Sequence, residues 1–216
     1  MTEPSTAASV LKGLAKIPAP VVKAAIGFVE SLLGEPLKVA GSAIADQVEM
    51  WKWANRVRMA ARAQEILKEE KVAARVVAPA FLLPVIEAAG YTDDPTLQEM
   101  WARLLAAGVK DDRKQQPMLV RILRDFSPGD ARFLKQVHEH CAQGDQYRVG
   151  VVPGHESYEL HAAARLEALG VVNKDRRLVS PQTGVLVLPD SLKHSSGIWT
   201  MWMTDLGRDF VKVVSG

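Results

Sequence analysis

Residues 51–70, WKWANRVRMAARAQEILKEE, combine aromatic rings with a run of positive charge. No acid occurs between positions 50 and 64, and two tryptophans stand among four cations, Lys52, Arg56, Arg58 and Arg62. Arginines beside aromatic rings are typical of grooves that bind single-stranded nucleic acid, and a basic amphipathic face is typical of membrane-surface helices. Trp51 and Trp53, however, point about 200° apart on a helix, so they cannot form one stacking platform.

The spacing of the apolar residues in this stretch favours a core helix with a basic rim. Apolar positions recur every three or four residues and predict one inward stripe that also includes Gln64: Met50, Trp53, Val57, Ala60, Ala61 and Leu67. Lys52 and Arg56 flank one side of this stripe, and Arg58 and Arg62 flank the other. We interpret these cations as snorkelling side chains. Nucleic-acid contact and membrane-surface contact are the two alternatives for them.

The five histidines and the single cysteine do not make a metal-binding pattern. His138 and Cys141 are three residues apart and share a helix face, but zinc needs three or four convergent ligands and no pair with zinc-finger spacing recurs. The sequence also contains no glycine-rich phosphate loop, no nucleophile elbow and no helix with two histidines at metal-binding spacing. We therefore expect no metal, no cofactor, no catalytic residue and no enzymatic activity.

Acidic residues cluster near Arg103, and helix capping explains them without a catalytic role. Asp93 and Asp94 precede a proline, and Glu99 follows one turn later. Asp94 is predicted to cap a helix whose first turn is solvated, where carboxylates are favourable. The cluster is therefore expected to stabilise a helix start.

The composition is that of a soluble globular protein. The 216 residues are 48% hydrophobic and 24% charged with a net charge of +2, so any binding of a polyanion would be local. A single cysteine rules out an intramolecular disulfide. The start, MTEPSTAASVLKGLAKI, has no signal-peptide pattern, and no apolar run reaches the ~18 residues of a spanning helix. We expect a cytoplasmic protein.

Apolar periodicity and capping residues predict helices as far as residue 126. These helices are predicted at about 5–17, 20–34, 36–71, 79–84, 94–109 and 117–126. Pro79 and Pro84 bracket the fourth of them. The predicted organisation is a set of apolar N-terminal helices, residues 1–34, followed by a helical core, residues 35–126.

Residues 127–216 mix helical and strand patterns. Ser127 and Asp130 predict a capping box, and a second helix is predicted to end at Gly170. The runs RRLVS and VLVLP around a Pro/Gly turn predict a hairpin, IWTMWM predicts a third strand, and Thr204 caps a closing helix. The predicted fold class is mainly α, with helical N-terminal and middle regions and a winged-helix-like α+β tail.

The tail gives opposing signals for DNA binding. Its helix at 155–169 has more acids than cations, and phosphate would repel it, whereas the wing carries Lys174, Arg176 and Arg177. We expect this tail to serve packing or partner binding, with nucleic-acid binding as the alternative.

Three phrases in the middle of the chain form a set: LLPVIEAAG, TDDPTLQEMWARLLA and ILRDFSPGDARFL, preceded by LLGEPLKVAGSAIADQVEMWKWAN. Together they resemble the abortive infection alpha (Abi-alpha) family of bacterial and phage-borne proteins. The resemblance covers roughly residues 30–213, and the phrase around Trp101 is its most specific part. The N-terminus and the loop at 142–154 match no pattern of the family. The resemblance implies a helical protein linked to defence against phage, and it transfers no catalytic residue.

The N-terminal helices offer a candidate contact surface. The segment VVKAAIGFVESLLG is apolar on most of its circumference, and it offers a membrane or a protein partner the side chains of Val21, Val22, Ile26, Phe28, Leu32 and Leu33. We favour burial of this segment against the body of the protein or a second subunit. The alternative is that a trigger releases these helices and that they insert into a bilayer, so that the protein associates with a membrane when activated.

The sequence as a whole predicts a non-enzymatic phage-defence component that harms the host when triggered. The alternatives are a winged-helix regulator that binds nucleic acid and a module that assembles with protein partners. We expect a protein partner or self-association, with nucleic acid and a membrane as the other candidate partners.

Overall fold

The computed structural model describes residues 17–34, 47–142, 147–151, 158–179, 186–187 and 197–215. In these ranges the chain is mainly helical, with eight α-helices and one four-stranded antiparallel sheet. The chain divides into two compact units, one of residues 1–125 with 213–216 and the other of residues 126–212. The predicted helix at 5–17 and the first part of the predicted long helix lie outside the described residues.

Five helices and one 3₁₀ turn build the first unit. They are α1 (Ala19–Leu33), α2 (Gln47–Glu69), α3 (Pro79–Gly90), α4 (Pro95–Lys110), the 3₁₀ turn Asp112–Lys114 and α5 (Pro117–Arg124). A proline occupies the first turn of α1, α3, α4 and α5. The N–H groups of the first turn have no acceptor within the helix, so a proline, which lacks an N–H, loses no hydrogen bond at these positions.

The long helix α2 is central, since it packs against α1, α3 and α4. The single inward stripe predicted for it is wrong in part. Met50 and Trp53 are only half-buried, whereas Met59, Ala63 and Ile66, which the stripe omits, are buried. Contact with three neighbours buries more than half of the circumference, and one stripe cannot represent that.

Helix α3 runs through Pro84, so the prediction that Pro79 and Pro84 bracket a short helix is wrong. Pro84 is exposed inside a helix that continues to Gly90. Proline removes one helix hydrogen bond and favours a break. Here the lost bond faces solvent, while the opposite face is buried on both sides of the proline through Phe81, Leu82, Val85 and Ala88. This packing carries the helix across the defect.

Helix α4 lies deepest in the first unit. The apolar face predicted for it is confirmed, since all five side chains are buried: Leu97, Trp101, Leu104, Leu105 and Val109. The predicted N-cap is also confirmed. Asp94 Oδ1 accepts hydrogen bonds from the N–H groups of Thr96 and Leu97 at 3.0 and 3.1 Å. The cap therefore fixes the start of the most buried helix.

Helix α1 is attached more lightly. Ala25, Phe28 and Leu32 are its buried side chains, and the Val77 N–H donates to the Leu32 carbonyl at 2.8 Å. A cleft of about 400 Å³ opens between α1, α2 and the segment that follows α2. Gly27 lines this cleft, and a Cβ on Gly27 would meet no atom within 4 Å. Gly34, at φ 75°, ends the helix as predicted.

The second unit combines helices and strands. Its elements are α6 (Pro128–Ala142), β1 (Tyr147–Val151), α7 (Tyr158–Ala168), β2 (Val172–Val179), β3 (Leu186–Val187), β4 (Gly197–Met203) and α8 (Asp205–Ser215), whose last residues are grouped with the first unit. The strand order is β1-β4-β2-β3, with every pair antiparallel. The predicted pairing of β2 with β3 and the predicted third strand are confirmed.

Both caps predicted in this unit are confirmed. Ser127 and Asp130 bond reciprocally: Asp130 Oδ2 accepts from the Ser127 N–H at 2.8 Å, and Ser127 Oγ accepts from the Asp130 N–H at 3.2 Å. Thr204 Oγ1 accepts from the Gly207 N–H at 2.9 Å. Gly207 is required there, because a Cβ would lie 1.9 Å from the Val171 carbonyl oxygen.

Candidate functional site

Polar side chains converge on the C-terminal end of α3, where the last helix carbonyls have no partner within the helix itself. Asn55 of α2 is completely buried, and its Nδ2 donates to the Gly90 carbonyl at 3.0 Å. Gln98 of α4 donates through Nε2 to the Ala89 carbonyl at 3.0 Å. Asn55 therefore satisfies the Gly90 carbonyl, and Gln98 adds a second hydrogen bond to the Ala89 carbonyl, which also accepts from the Thr92 N–H at 3.3 Å.

Two cations of the basic stretch lie at this same helix end. Lys52 Nζ is 4.5 Å from the centroid of the Tyr91 ring and 2.7 Å from Glu49 Oε1. The hydrogen bond to Glu49, followed by Tyr91, raises the pKa of Lys52. Arg56 lies against Gly90, where an added Cβ would be 2.8 Å from its Nε. A helix C-terminus is electronegative, so both cations are favourably placed.

Arg62 joins α2 to α4 through Glu99. Its Nε and Nη2 donate to the two carboxylate oxygens at 2.8 and 3.2 Å, and Arg103 Nε lies 2.8 Å from Glu99 Oε1. The hydrogen bond from Arg62 is the main cause that lowers the pKa of Glu99, against the opposing effect of burial. Arg62 Nη1 also reaches Glu65 and Glu69 at 3.3 and 3.4 Å. The charge of Arg62 is thus balanced inside the unit.

The structure does not bring the four cations together as one binding surface. The fourth, Arg58, is exposed and donates to Asn55 Oδ1 at 2.8 Å. Each of the four therefore bonds to or packs against a residue of its own unit. Trp51 and Trp53 are both half-buried, so neither presents a free ring. The core helix with a basic rim is the arrangement that these contacts support.

An ion pair with a buried carboxylate links α6 to α7 in the second unit. The carboxylate of Asp130 is completely buried, and Arg165 Nε lies 3.0 and 2.9 Å from its two oxygens. Arg165 Nη2 adds a bond of 2.8 Å, and Ser127 Oγ donates to Asp130 Oδ2 at 2.7 Å. The capping box was visible in the sequence, but no local pattern pairs positions 35 residues apart.

The candidate cations of the wing and some of the histidines have side chains that the structure does not describe. Lys174, Arg176 and Arg177 belong to β2, but their side chains lie outside the described part of the structure, as do His155 and His194. In the described ranges no three metal-ligating side chains lie together. No helix among the described residues is both long and apolar enough to cross a membrane.

The apolar candidates on α1 fall into two groups. Phe28 and Leu32 are buried within the first unit. The other four are partly exposed, with Val21 the most accessible at 38%: Val21, Val22, Ile26 and Leu33. Burial within the protein, one of the alternatives for this segment, therefore holds for two of the six.

The sequence pattern of the abortive infection alpha family matches residues 52–165, which is more than half of the chain. The chain belongs to the abortive infection alpha family. No curated protein and no solved structure matches it. The part matched to the abortive infection alpha family begins in α2 and ends in α7, so it contains Asn55, the Arg62–Glu99 pair and the Asp130–Arg165 pair.

Proposed function

We propose that the protein is an abortive-infection component that acts by contact with another macromolecule and not by catalysis. Membership of the abortive infection alpha family supports the first part. The non-catalytic part of the proposal rests on the contacts made by the polar residues of TDDPTLQEMWARLLA, the segment around Trp101 that is most specific to the family. Asp94 caps α4, Gln98 bonds the end of α3, and Glu99 binds Arg62 and Arg103. These groups hold the helices together.

The decisive experiment is plaque formation by a panel of phages on cells that express the protein, with host survival counted at high phage dose. We expect fewer plaques, and infected cells that die without releasing phage. Unchanged plaquing across a broad panel would contradict an abortive-infection role for this chain.

Substitutions in the Arg62–Glu99–Arg103 cluster separate contact from catalysis. Glu99→Gln removes the charge and keeps the size of the side chain, whereas Arg103→Gln removes the charge and leaves a shorter polar side chain. We expect both variants to protect cells as long as they remain folded by circular dichroism. A folded Glu99→Gln protein without protection would point to chemistry at this cluster and contradict the non-catalytic proposal.

We propose further that the second unit is a winged-helix-like domain used for packing or partner binding. The order of α6, β1, α7, β2, β3, β4 and α8 supports this assignment. In α7 the only arginine or lysine is Arg165, and it binds the buried Asp130. A helix whose single strong cation is engaged in this way is poorly suited to phosphate.

Duplex DNA binding tests the competing regulator. We expect no steep salt-dependent binding by the wild-type protein. Binding that falls when Arg176 and Arg177 are replaced by alanine would favour the regulator over the partner module.

Dye release from anionic liposomes tests whether α1 meets a membrane. Two of its apolar side chains are buried within the first unit, so we expect no release at micromolar protein without a trigger. Release by the untriggered protein would favour direct membrane damage.

A further inference from the structure

Helix α3 has an exposed face that is apolar along most of its length. Five residues at three- and four-residue spacing lie on it and are exposed: Ala80, Leu83, Pro84, Glu87 and Tyr91. Leu83 is 55% exposed, while the neighbouring Phe81 and Leu82 are buried. A leucine beside a proline at the centre of an exposed helix face is a surface that a partner would desolvate.

Among the described residues, no side chain caps the N-terminus of this helix. The residue at the N-cap position is Ala78, and no side chain bonds the first turn. Pro79 has no N–H, and the N–H groups of Phe81 and Leu82 both bond the Ala78 carbonyl. The Ala80 N–H therefore has no acceptor among the described residues, at the electropositive end of the helix.

The Glu87 carboxylate, an acceptor of the right charge for the Ala80 N–H of another helix, lies on the same face. Glu87 is exposed, and no described cation lies within ion-pair distance of its carboxylate. It follows Ala80 by seven residues, or about 10 Å along the helix axis. One face thus carries an uncapped helix start, an apolar centre and an unpaired acid, in that order.

We propose that a second copy of this chain docks on this face, with the two α3 helices antiparallel across a twofold axis. Such an axis near Leu83 and Pro84 places the apolar centres against each other. It also brings Glu87 of each copy to the Ala80 N–H of the other, where the carboxylate completes the missing cap. The face is self-complementary in charge only in this antiparallel arrangement, because a parallel pair would set acid against acid.

The contact is expected to be modest in strength. Two short helices bury less than the roughly 1,200 Å² of a standard stable interface. Each reciprocal cap contributes as an acid at a helix N-terminus does, so loss of both weakens the dimer about 3- to 30-fold.

Sedimentation velocity of the full chain over a range of concentrations tests the dimer. The mass should rise from 23.6 kDa towards twice that value. Leu83→Asp should hold it at the monomer, whereas Met118→Asp, a matched change at a side chain of α5 that is also 55% exposed, should not. Glu87→Gln should weaken association about 3- to 30-fold, because it removes both reciprocal caps. A wild-type protein that stays monomeric, or a Leu83→Asp protein that still dimerises, overturns the proposal.

Disulfide cross-linking tests the orientation, and it remains informative if an aspartate disturbs folding. In a Cys141→Ser background, Leu83→Cys should cross-link two copies, and a mixture of Ala80→Cys and Glu87→Cys proteins should give the mixed dimer. Glu87→Cys alone should not cross-link, because its two copies lie at opposite ends of the contact. Efficient cross-linking of Glu87→Cys alone, or none by Leu83→Cys, would overturn the antiparallel arrangement.

Discussion

Gly108 of α4 provides the sharpest test of the packing described for the first unit. It lies in the phrase WARLLAAG near the end of the helix and faces the ring of Phe81 on α3. A Cβ on Gly108 would be 2.5 Å from Cε1 and 2.8 Å from Cζ of that ring. Gly108→Ala should therefore lower the free energy of unfolding, and Gly27→Ala on α1 is the matched control.

Both substitutions raise helix propensity, and they differ in what the new methyl group contacts. Alanine in place of a helical glycine stabilises by about 1 kcal/mol at either position. At Gly27 this gain stands alone, since the methyl group meets no atom within 4 Å. At Gly108 the methyl group lies about 1 Å inside normal contact with a ring that is only 2% exposed and cannot swing outward. Over-packing of this kind costs about 1–3 kcal/mol, which is the expected difference between the variants.

Urea unfolding followed by circular dichroism measures this difference directly. Phe81→Leu removes both ring atoms that the new methyl group would touch. Gly108→Ala with Phe81→Leu should therefore lose about 1–2 kcal/mol less stability than the sum of the single changes. A Gly108→Ala protein as stable as Gly27→Ala would refute the close approach of α3 and α4.

Three further substitutions test the polar contacts. Asn55→Ala should lower the free energy of unfolding by about 1–3 kcal/mol, because the Gly90 carbonyl loses its buried donor; no change in urea unfolding would contradict this. Arg165→Met should cost about 3 kcal/mol by leaving the buried Asp130 carboxylate without its cation, and an equally stable variant would argue against that pair. The lowered pKa of Glu99 means that its ion pair stabilises the fold above the ordinary value of 4.5 and is lost as pH falls through the lowered folded value. Wild type should therefore lose more stability than Glu99→Gln on acidification, and parallel pH curves would count against the contact.

Local signals in the sequence predicted local structure well. The caps at Asp94 and Thr204, the capping box at Ser127 and the glycine at position 34 depend on residues within a few positions of each other. All five residues of the apolar face predicted for α4 are buried, because the periodicity marks the large inward side chains. The helix also buries Met100, Ala102, Ala106, Ala107 and Gly108, which the periodicity did not indicate.

Features that depend on distant neighbours were not predicted. The periodicity of α2 suggested one stripe because sequence spacing does not show how many helices surround it. Asn55 and Gln98 have no local signature as caps, since the carbonyls that they bond belong to another helix. Pro84 was taken as a helix end because its local cost was visible and the packing on both sides of it was not. The partner of Arg165 lies 35 positions away.

The light attachment of α1 implies a graded response to hydrogen–deuterium exchange. In the described part of the chain α1 buries three side chains and accepts a hydrogen bond from the Val77 N–H beside an open cleft, whereas α4 buries most of its length. Amides of α1 should then exchange through a local opening whose free energy is well below that of global unfolding. Amides of α4 should exchange only when the whole unit unfolds. The protein would therefore separate its first helix from its core at low energetic cost, while the rest of the first unit stays folded.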